Sequence, residues 1–240
     1  DMVSKVTALL ADKDKLAKAR VHPVEVLAAL LTYQAGRGVR GSGEWTPVPQ
    51  IIDALDSAFY LTFGLVEPTN RRLVLALDVS GSMSGGVVAG VPGLTPRVAS
   101  AAMALLTAAT EANYQVMAFS TAFVPLKISP RQRLDDAVKA VSGLPFSGTD
   151  CALPMQWALE NNVKADAFIV YTDSETWAGK IHPAMALREY REKTGIPARL
   201  IVVGMVSNGF SIADPSDGGM LDVVGFDTAA PTVMGDFIRG

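Results

Sequence analysis

Residues 73–86 read LVLALDVSGSMSGG, and the fold turns on how this stretch is read. From Leu73 to Val79 the chain is almost wholly apolar and does not sort into a wet and a dry face. A short continuous apolar run of this kind predicts a strand buried on both sides, as in a parallel sheet covered by helices. The run then gives way to Asp78, Ser80 and Ser82, three small oxygen-bearing side chains on alternate positions. A buried strand that ends in this way has turned towards something polar.

Working outward, the chain from Arg71 onward alternates between strand and helix patterns. Strands are predicted at RRLVLALDV, YQVMAFS, VPLKI, DAFIVYTD, RLIVVGM and LDVVGFD. Between them lie helical patterns at RVASAAMALLTAATEA, RQRLDDAVKAVSGL, ALPMQWALENN and PAMALREYREKTG, and a last one at APTVMGDFIRG. The expected fold is therefore α/β, with a mostly parallel, Rossmann-like sheet and helices on both faces. In such sheets ligands sit beyond the carboxyl ends of the strands, which is where Asp78 lies.

Before Glu67-Pro68-Thr69-Asn70 the pattern is helical only. Three helices are predicted, at KVTALLADKDKLAKAR, at PVEVLAALLTYQAG with Pro23 in its first turn, and at QIIDALDSAFYLTF. A Gly/Pro loop, GRGVRGSGEWTPVPQ, separates the second from the third. The division expected is a helical segment over 1–68 and an α/β domain over 69–240. Three short helices make little core alone and read as the end of a helical array, although no internal repeat is visible.

Composition narrows the classes. Nearly half of the 240 residues are hydrophobic, yet no apolar stretch reaches the roughly 18 residues of a membrane span. The net charge of −3 gives no global basic field for nucleic acid. Cys151 is the only cysteine, which excludes an internal disulfide and makes a reducing, cytoplasmic setting the expectation. The start lacks a signal-peptide pattern and begins with Asp1, so a longer parent protein is also expected.

Two further segments offer the chemistry of the first. SGTDCALP places Thr149 and Asp150 before a helix, and IVYTDSET places Thr172, Asp173, Ser174 and Glu175 at the end of a buried strand. Gathered at one sheet edge, Asp78, Ser80, Ser82, Thr149 and Asp173 present only hydroxyl and carboxylate oxygens. Hard divalent cations want this set, and Mg²⁺ takes about six oxygens near 2.1 Å while keeping some water. Two carboxylates offset the ion's charge, and neutral hydroxyls leave room for an outside anion. The plainer alternative is that the Asp and Ser side chains make turn hydrogen bonds and that Thr149 caps a helix.

These same residues resemble a known pattern. Asp-x-Ser-x-Ser at 78–82, Thr149 in SGTD and Asp173 in YTD look like the metal-ion-dependent adhesion site (MIDAS) of von Willebrand factor A domains. A more specific likeness runs along nearly the whole chain. VHPVEVLAALLTYQAGRG (21–38), FYLTFGLVEPTNRRLVLALDVSGSM (59–83) and GTDCALPMQWA (148–158) resemble the Ro autoantigen family of RNA-binding proteins. So do HPAMALREYREKTGIPARLIVVGMVSNGFSIADP (182–215) and GMLDVVGFD (219–227). The resemblance implies that residues 1–68 are the last helices of a HEAT-like ring, the TROVE region. It implies a metal-binding A-type domain over 69–240, with direct ligation by Ser80, Ser82 and Thr149. Asp78 and Asp173 would act directly or through water. It further implies partners for the whole protein: small noncoding Y RNA, misfolded RNA, and in bacterial members an exoribonuclease. No departure from the pattern occurs at the five positions.

Lys13, Lys15, Lys18, Arg20, Arg37 and Arg40 face only Asp14 and Glu25 as acids between positions 13 and 40. Such a stretch suits RNA phosphates, or is simply a solvated helix face. His22 and His182 both precede proline and are expected to start helices rather than ligate metal. Cys151 is expected to be a buried small residue, Trp157 core, and Trp177 either rim or unrelated to the metal site. No hydrolase elbow or P-loop is present. The expected function is a non-enzymatic RNA-binding Ro-family protein whose A-type domain binds Mg²⁺ or another divalent cation and, through it, a partner's carboxylate. The rival is a metal-dependent protein-binding module with no RNA role. A metal-assisted phosphohydrolase has only Glu175 as a base and is the weaker alternative.

Overall fold

A computed structural model describes residues 1–39, 41–120, 122–144, 148–173, 179–206, 212–225 and 229–240. Chain contacts divide it into two compact units, 1–68 with 89–94, and 69–88 with 95–240.

The first unit contains helices α1 (Met2–Leu10), α2 (Lys13–Lys18), α3 (Pro23–Gln34) and α4 (Pro49–Leu61). The single helix expected over residues 5–20 is broken in two, because Asp12 leaves helical geometry and its carboxylate caps α2 by accepting from the Lys15 N–H at 3.1 Å. An Asp side chain competes for backbone donors better at a cap than inside a helix. The N-cap of α3 is His22, whose Nδ1 accepts from the Val24 N–H while Glu25 accepts from the His22 N–H. Burial holds the His22 imidazole below its ordinary pKa, which keeps Nδ1 free to accept. The small core of this unit includes Leu27, Leu30, Leu55, Phe59 and Phe63.

The second unit is built on a six-stranded sheet in the order β3-β2-β1-β4-β5-β6. Its strands are β1 (Leu73–Asp78), β2 (Tyr114–Phe119), β3 (Phe123–Pro125), β4 (Ala167–Thr172), β5 (Arg199–Gly204) and β6 (Met220–Val224). All neighbours are parallel except the short β2–β3 pair. Every residue of β1 and β4 is buried, as the unbroken apolar runs predict. The helices are α5 (Pro96–Thr110), α6 (Leu134–Ser142), α7 (Leu153–Glu160), α8 (Pro183–Thr194) and α9 (Ala230–Arg239).

On one face Val74, Ala76, Phe168, Val170, Leu200 and Val202 pack with Met155 and Ala158 of α7 and Leu187 and Tyr190 of α8. Helix α5 packs against β1 and β2 and also touches α6. Eleven of its fifteen residues are buried, and five of those are alanine, so its backbone can lie close against its neighbours. Thr107 and Thr110 satisfy their hydroxyls on the carbonyls four residues back, at 2.9 Å each. His182 caps α8 through the Ala184 N–H, and Gly195 ends that helix in the left-handed region at φ 70°, where only glycine is unstrained.

The strand order places the site. From β1 the chain passes to β2 on one side, and the later strands add from β4 on the other, so the order reverses between β1 and β4. At that reversal the connections leave in opposite directions and open a crevice at the carboxyl edge. Asp78 ends β1 and Thr172 ends β4 at this edge.

Candidate metal centre

Asp78 is fully buried, and each of its oxygens is engaged. Oδ1 accepts from the Ser80 N–H at 2.8 Å. Oδ2 accepts from the Thr172 hydroxyl at 2.8 Å and from the Thr149 hydroxyl at 3.5 Å. Burial pushes the Asp78 carboxyl above its ordinary range, the Ser80 and Thr172 hydrogen bonds oppose that, and the charge of Asp173 adds to it. The turn hydrogen bond expected of the plainer alternative is therefore present, but it uses only one face of the carboxylate.

Beyond Asp78 the chain enters a tight turn over Gly81–Ser84. This turn brings the hydroxyls of Ser80 and Ser82 within 3.0 Å of each other. Buried Met83 anchors the turn from below. Thr149 does not cap α7, contrary to that expectation. The α7 N-cap position is Ala152, and Asp150 supplies the local turn by accepting from the Ala152 N–H at 3.0 Å. Thr149 is thereby left to face Asp78. Asp173 follows β4 directly, and its Oδ1 is buried with no hydrogen-bond partner among the described residues.

The structure thus links Asp78, Ser80, Ser82 and Thr149 by hydrogen bonds and couples Asp173 to Asp78 by charge. An orphaned buried carboxylate oxygen is expensive unless something positive satisfies it. Together with an all-oxygen donor set, this fits a hard divalent cation. No group of three or more His, Cys, Asp or Glu that could hold a metal occurs among the described residues. The candidate centre has two carboxylates, and its remaining donors are hydroxyls.

Thr172 joins the network at closer range than Thr149; its place beside Asp173 was visible in the sequence, its bond to Asp78 was not. Arg97 was missed altogether. Its guanidinium donates to the Ser80 carbonyl at 2.9 Å and the Val79 carbonyl at 3.5 Å. Cys151 is buried, and its thiol is pushed up by burial and by the charges of Asp78 and Asp150, which makes it a poor nucleophile. Trp157 is partly buried against the core and lies 5.4 Å from Phe123, ring to ring. Ser174, Glu175 and Trp177 lie outside the described residues, as does Arg40. Lys13, Lys15, Lys18, Arg20 and Arg37 are exposed, and Lys15 pairs with Asp12 at 3.0 Å.

A sheet whose order reverses beside an Asp-x-Ser-x-Ser turn defines a von Willebrand factor A-type domain. The family description "Ro60 vWA domain" matches residues 72–238, and the chain belongs to that family. It is 52% identical to RNA-binding protein RO60 of Deinococcus radiodurans over 99% of its length, covering 45% of that protein. It is 43% identical to RNA-binding protein RO60 of Caenorhabditis elegans, again over 99% of this chain and 37% of that one. The crystal structure of the Deinococcus radiodurans RO (RSR) protein superposes with a TM-score of 0.95 at 52% identity, covering 100% of this chain and 48% of that one. The chain therefore spans less than half the length of these relatives.

Proposed function

We propose that this chain is the metal-binding part of a Ro-family RNA-binding protein, and that it recognises a partner's carboxylate without breaking a bond. Ser80, Ser82 and Thr149 would hold a divalent cation, Mg²⁺ by donor chemistry, with Asp78 and Asp173 contributing directly or through water. When bound, the cation supplies a Lewis-acidic position that an Asp or Glu side chain of a partner completes. The chain's own residues do the positioning. Asp78 orients the turn through the Ser80 N–H, Thr172 and Thr149 fix the rotamer of Asp78, and Asp173 contributes charge from the neighbouring strand. The observation that carries this reading is the buried Oδ1 of Asp173, without a hydrogen-bond partner among the described residues, whose charge acts on the Asp78 that holds the Ser80–Ser82 turn.

RNA binding by the whole protein is supported by the names of the relatives at 52% and 43% identity, and Y RNA and misfolded RNA as its ligands belong to the proposal. A cytoplasmic location, with an exoribonuclease as one partner, belongs to the same proposal. No helix among the described residues is long and apolar enough to cross a membrane.

The metal reading is tested by thermal unfolding with Mg²⁺ and with EDTA. At a hundredfold excess over Kd, a site specific to the folded state adds about 2.7 kcal/mol. The double variant Asp78→Ala, Ser80→Ala loses that gain. A wild-type chain indifferent to both reagents sinks the reading. For RNA, filter binding of the full-length protein at two salt concentrations is expected to show a phosphate-dependent loss of affinity at higher salt. Full-length protein that ignores structured RNA would instead favour a protein-binding module without an RNA role.

A further inference from the structure

Arg97 stands where local rules disfavour it. It lies in the first turn of α5, after the Thr95 cap and Pro96, and that turn holds no acidic residue. A cation at a helix N-terminus opposes the helix dipole, by about 0.3–1 kcal/mol at an exposed site. Its side chain is half-buried, and its Nε is buried with no hydrogen-bond partner among the described residues. Its one firm anchor is the carbonyl of Ser80, with Val79 as the longer second contact. A costly, incompletely satisfied cation on the backbone of a ligand residue is the kind of local conflict that marks a functional position.

We propose that Arg97 sets the charge of the metal centre, so that the site selects an anionic ligand over a neutral one. This rests on the metal reading above. Asp78 and Asp173 together balance a divalent cation. Arg97 then adds a positive charge held against the Ser80 carbonyl, opposed by Asp150 beside Thr149, and the α5 N-terminus adds to its field. The centre, once loaded, is one charge more positive with Arg97 than without it. That added charge attracts a carboxylate more than a carbonyl or water. Arg97 does not touch the ion and is a positioning and charge-setting residue.

The two parts of that role separate by sign. Arg97→Gln keeps an amide donor for the Ser80 carbonyl but removes the charge. Mg²⁺ alone, titrated by thermal shift, is expected to bind on the order of threefold tighter because repulsion is relieved, an effect that shrinks as salt is raised. Acetate, titrated against chloride at equal ionic strength with Mg²⁺ saturating, is expected to bind less tightly by a similar factor. Arg97→Lys keeps the charge and is expected to preserve the wild-type order of both affinities. If Arg97→Gln weakens Mg²⁺ and acetate together, or changes neither, Arg97 is only a brace and the proposal fails. If Arg97→Gln does not fold, loss of acetate binding in a folded Arg97→Lys overturns it, and retention supports it. If wild type does not respond to Mg²⁺ at all, the metal reading falls first, and this inference falls with it.

Discussion

The two ends of the sheet are built from similar residues to opposite effect. At the amino end, charged and hydroxyl groups are saturated with partners. Arg72 donates from Nε at 3.0 Å and from an outer nitrogen at 2.6 Å to the Asp166 carboxylate, which also accepts the Arg72 N–H at 2.8 Å. Glu111 accepts from the Thr69 and Asn70 N–H groups at 2.6 and 3.1 Å. The Tyr190 hydroxyl donates to the Val163 carbonyl and accepts from the Ala165 N–H, both at 2.8 Å. At the carboxyl end, Asp173 Oδ1, Arg97 Nε and the hydroxyl of Tyr171 near the end of β4 have no hydrogen-bond partner among the described residues. Saturated polar groups stabilise a fold, while buried unsaturated ones cost stability and persist where something else completes them. The amino end is a fastening, and the carboxyl end is a receptor.

That contrast can be broken by experiment, beginning with the largest effect. Tyr190→Phe leaves the buried Ala165 N–H without its partner and the half-buried Val163 carbonyl without this donor, and is expected to cost about 2 kcal/mol in denaturant unfolding. A loss below about half a kcal/mol would mean the amino end is not fastened through this hydroxyl.

Asp166→Asn breaks the forked pair with Arg72. The Arg72 side chain is 41% exposed, so the expected cost is limited to about 1–2 kcal/mol. The pair also has a pH signature. Hydrogen bonding from Arg72 holds the Asp166 carboxyl below the usual carboxylate range. A carboxyl with a depressed folded pKa contributes stability above the unfolded value, near 3.9, and loses it as pH falls through the folded value. The acid limb of the stability curve is therefore expected to flatten in Asp166→Asn, which a series of unfolding midpoints below about pH 4 reads directly.

Asp78→Asn sharpens the contrast from the other side. The amide keeps one acceptor for the Ser80 N–H, and the Thr172 and Thr149 hydroxyls can reverse to accept from its nitrogen. The charge that burial disfavours is gone. Metal-free stability is expected to change by less than about 1 kcal/mol, while the gain from Mg²⁺ disappears. Large destabilisation in EDTA would assign Asp78 to the frame of the fold rather than to the receptor.

The smallest effect is expected at Tyr171. Deleting its hydroxyl, which has no partner among the described residues, as Tyr171→Phe should leave stability unchanged or raise it by up to about 1 kcal/mol, against the loss at Tyr190. Equal losses at the two tyrosines would erase the distinction between the ends.

The helical unit shows where local reading stops. Residues 5–20 carry apolar positions at helical spacing on both sides of Asp12, so periodicity alone joins them. The break is decided by a cap, a competition between side-chain and helical hydrogen bonds that periodicity does not register. The same holds for Thr149, whose position before α7 looks like a cap until Asp150 takes the turn.

What the sequence by itself determined is the set of buried strands, the alternation with helices, and the Asp-x-Ser-x-Ser, Thr149 and Asp173 chemistry. Runs such as LVLALD and AFIVYT report burial residue by residue, and small polar side chains at strand ends report a change of environment. Only the tertiary structure decided that the sheet order reverses between β1 and β4, which brings the Thr172 hydroxyl onto Asp78 across 94 positions of chain. It also decided that Arg97 reaches the Ser80 carbonyl. Both follow from strand register and helix docking, which arise from packing between distant segments. No local spacing encodes which oxygen a long side chain will meet.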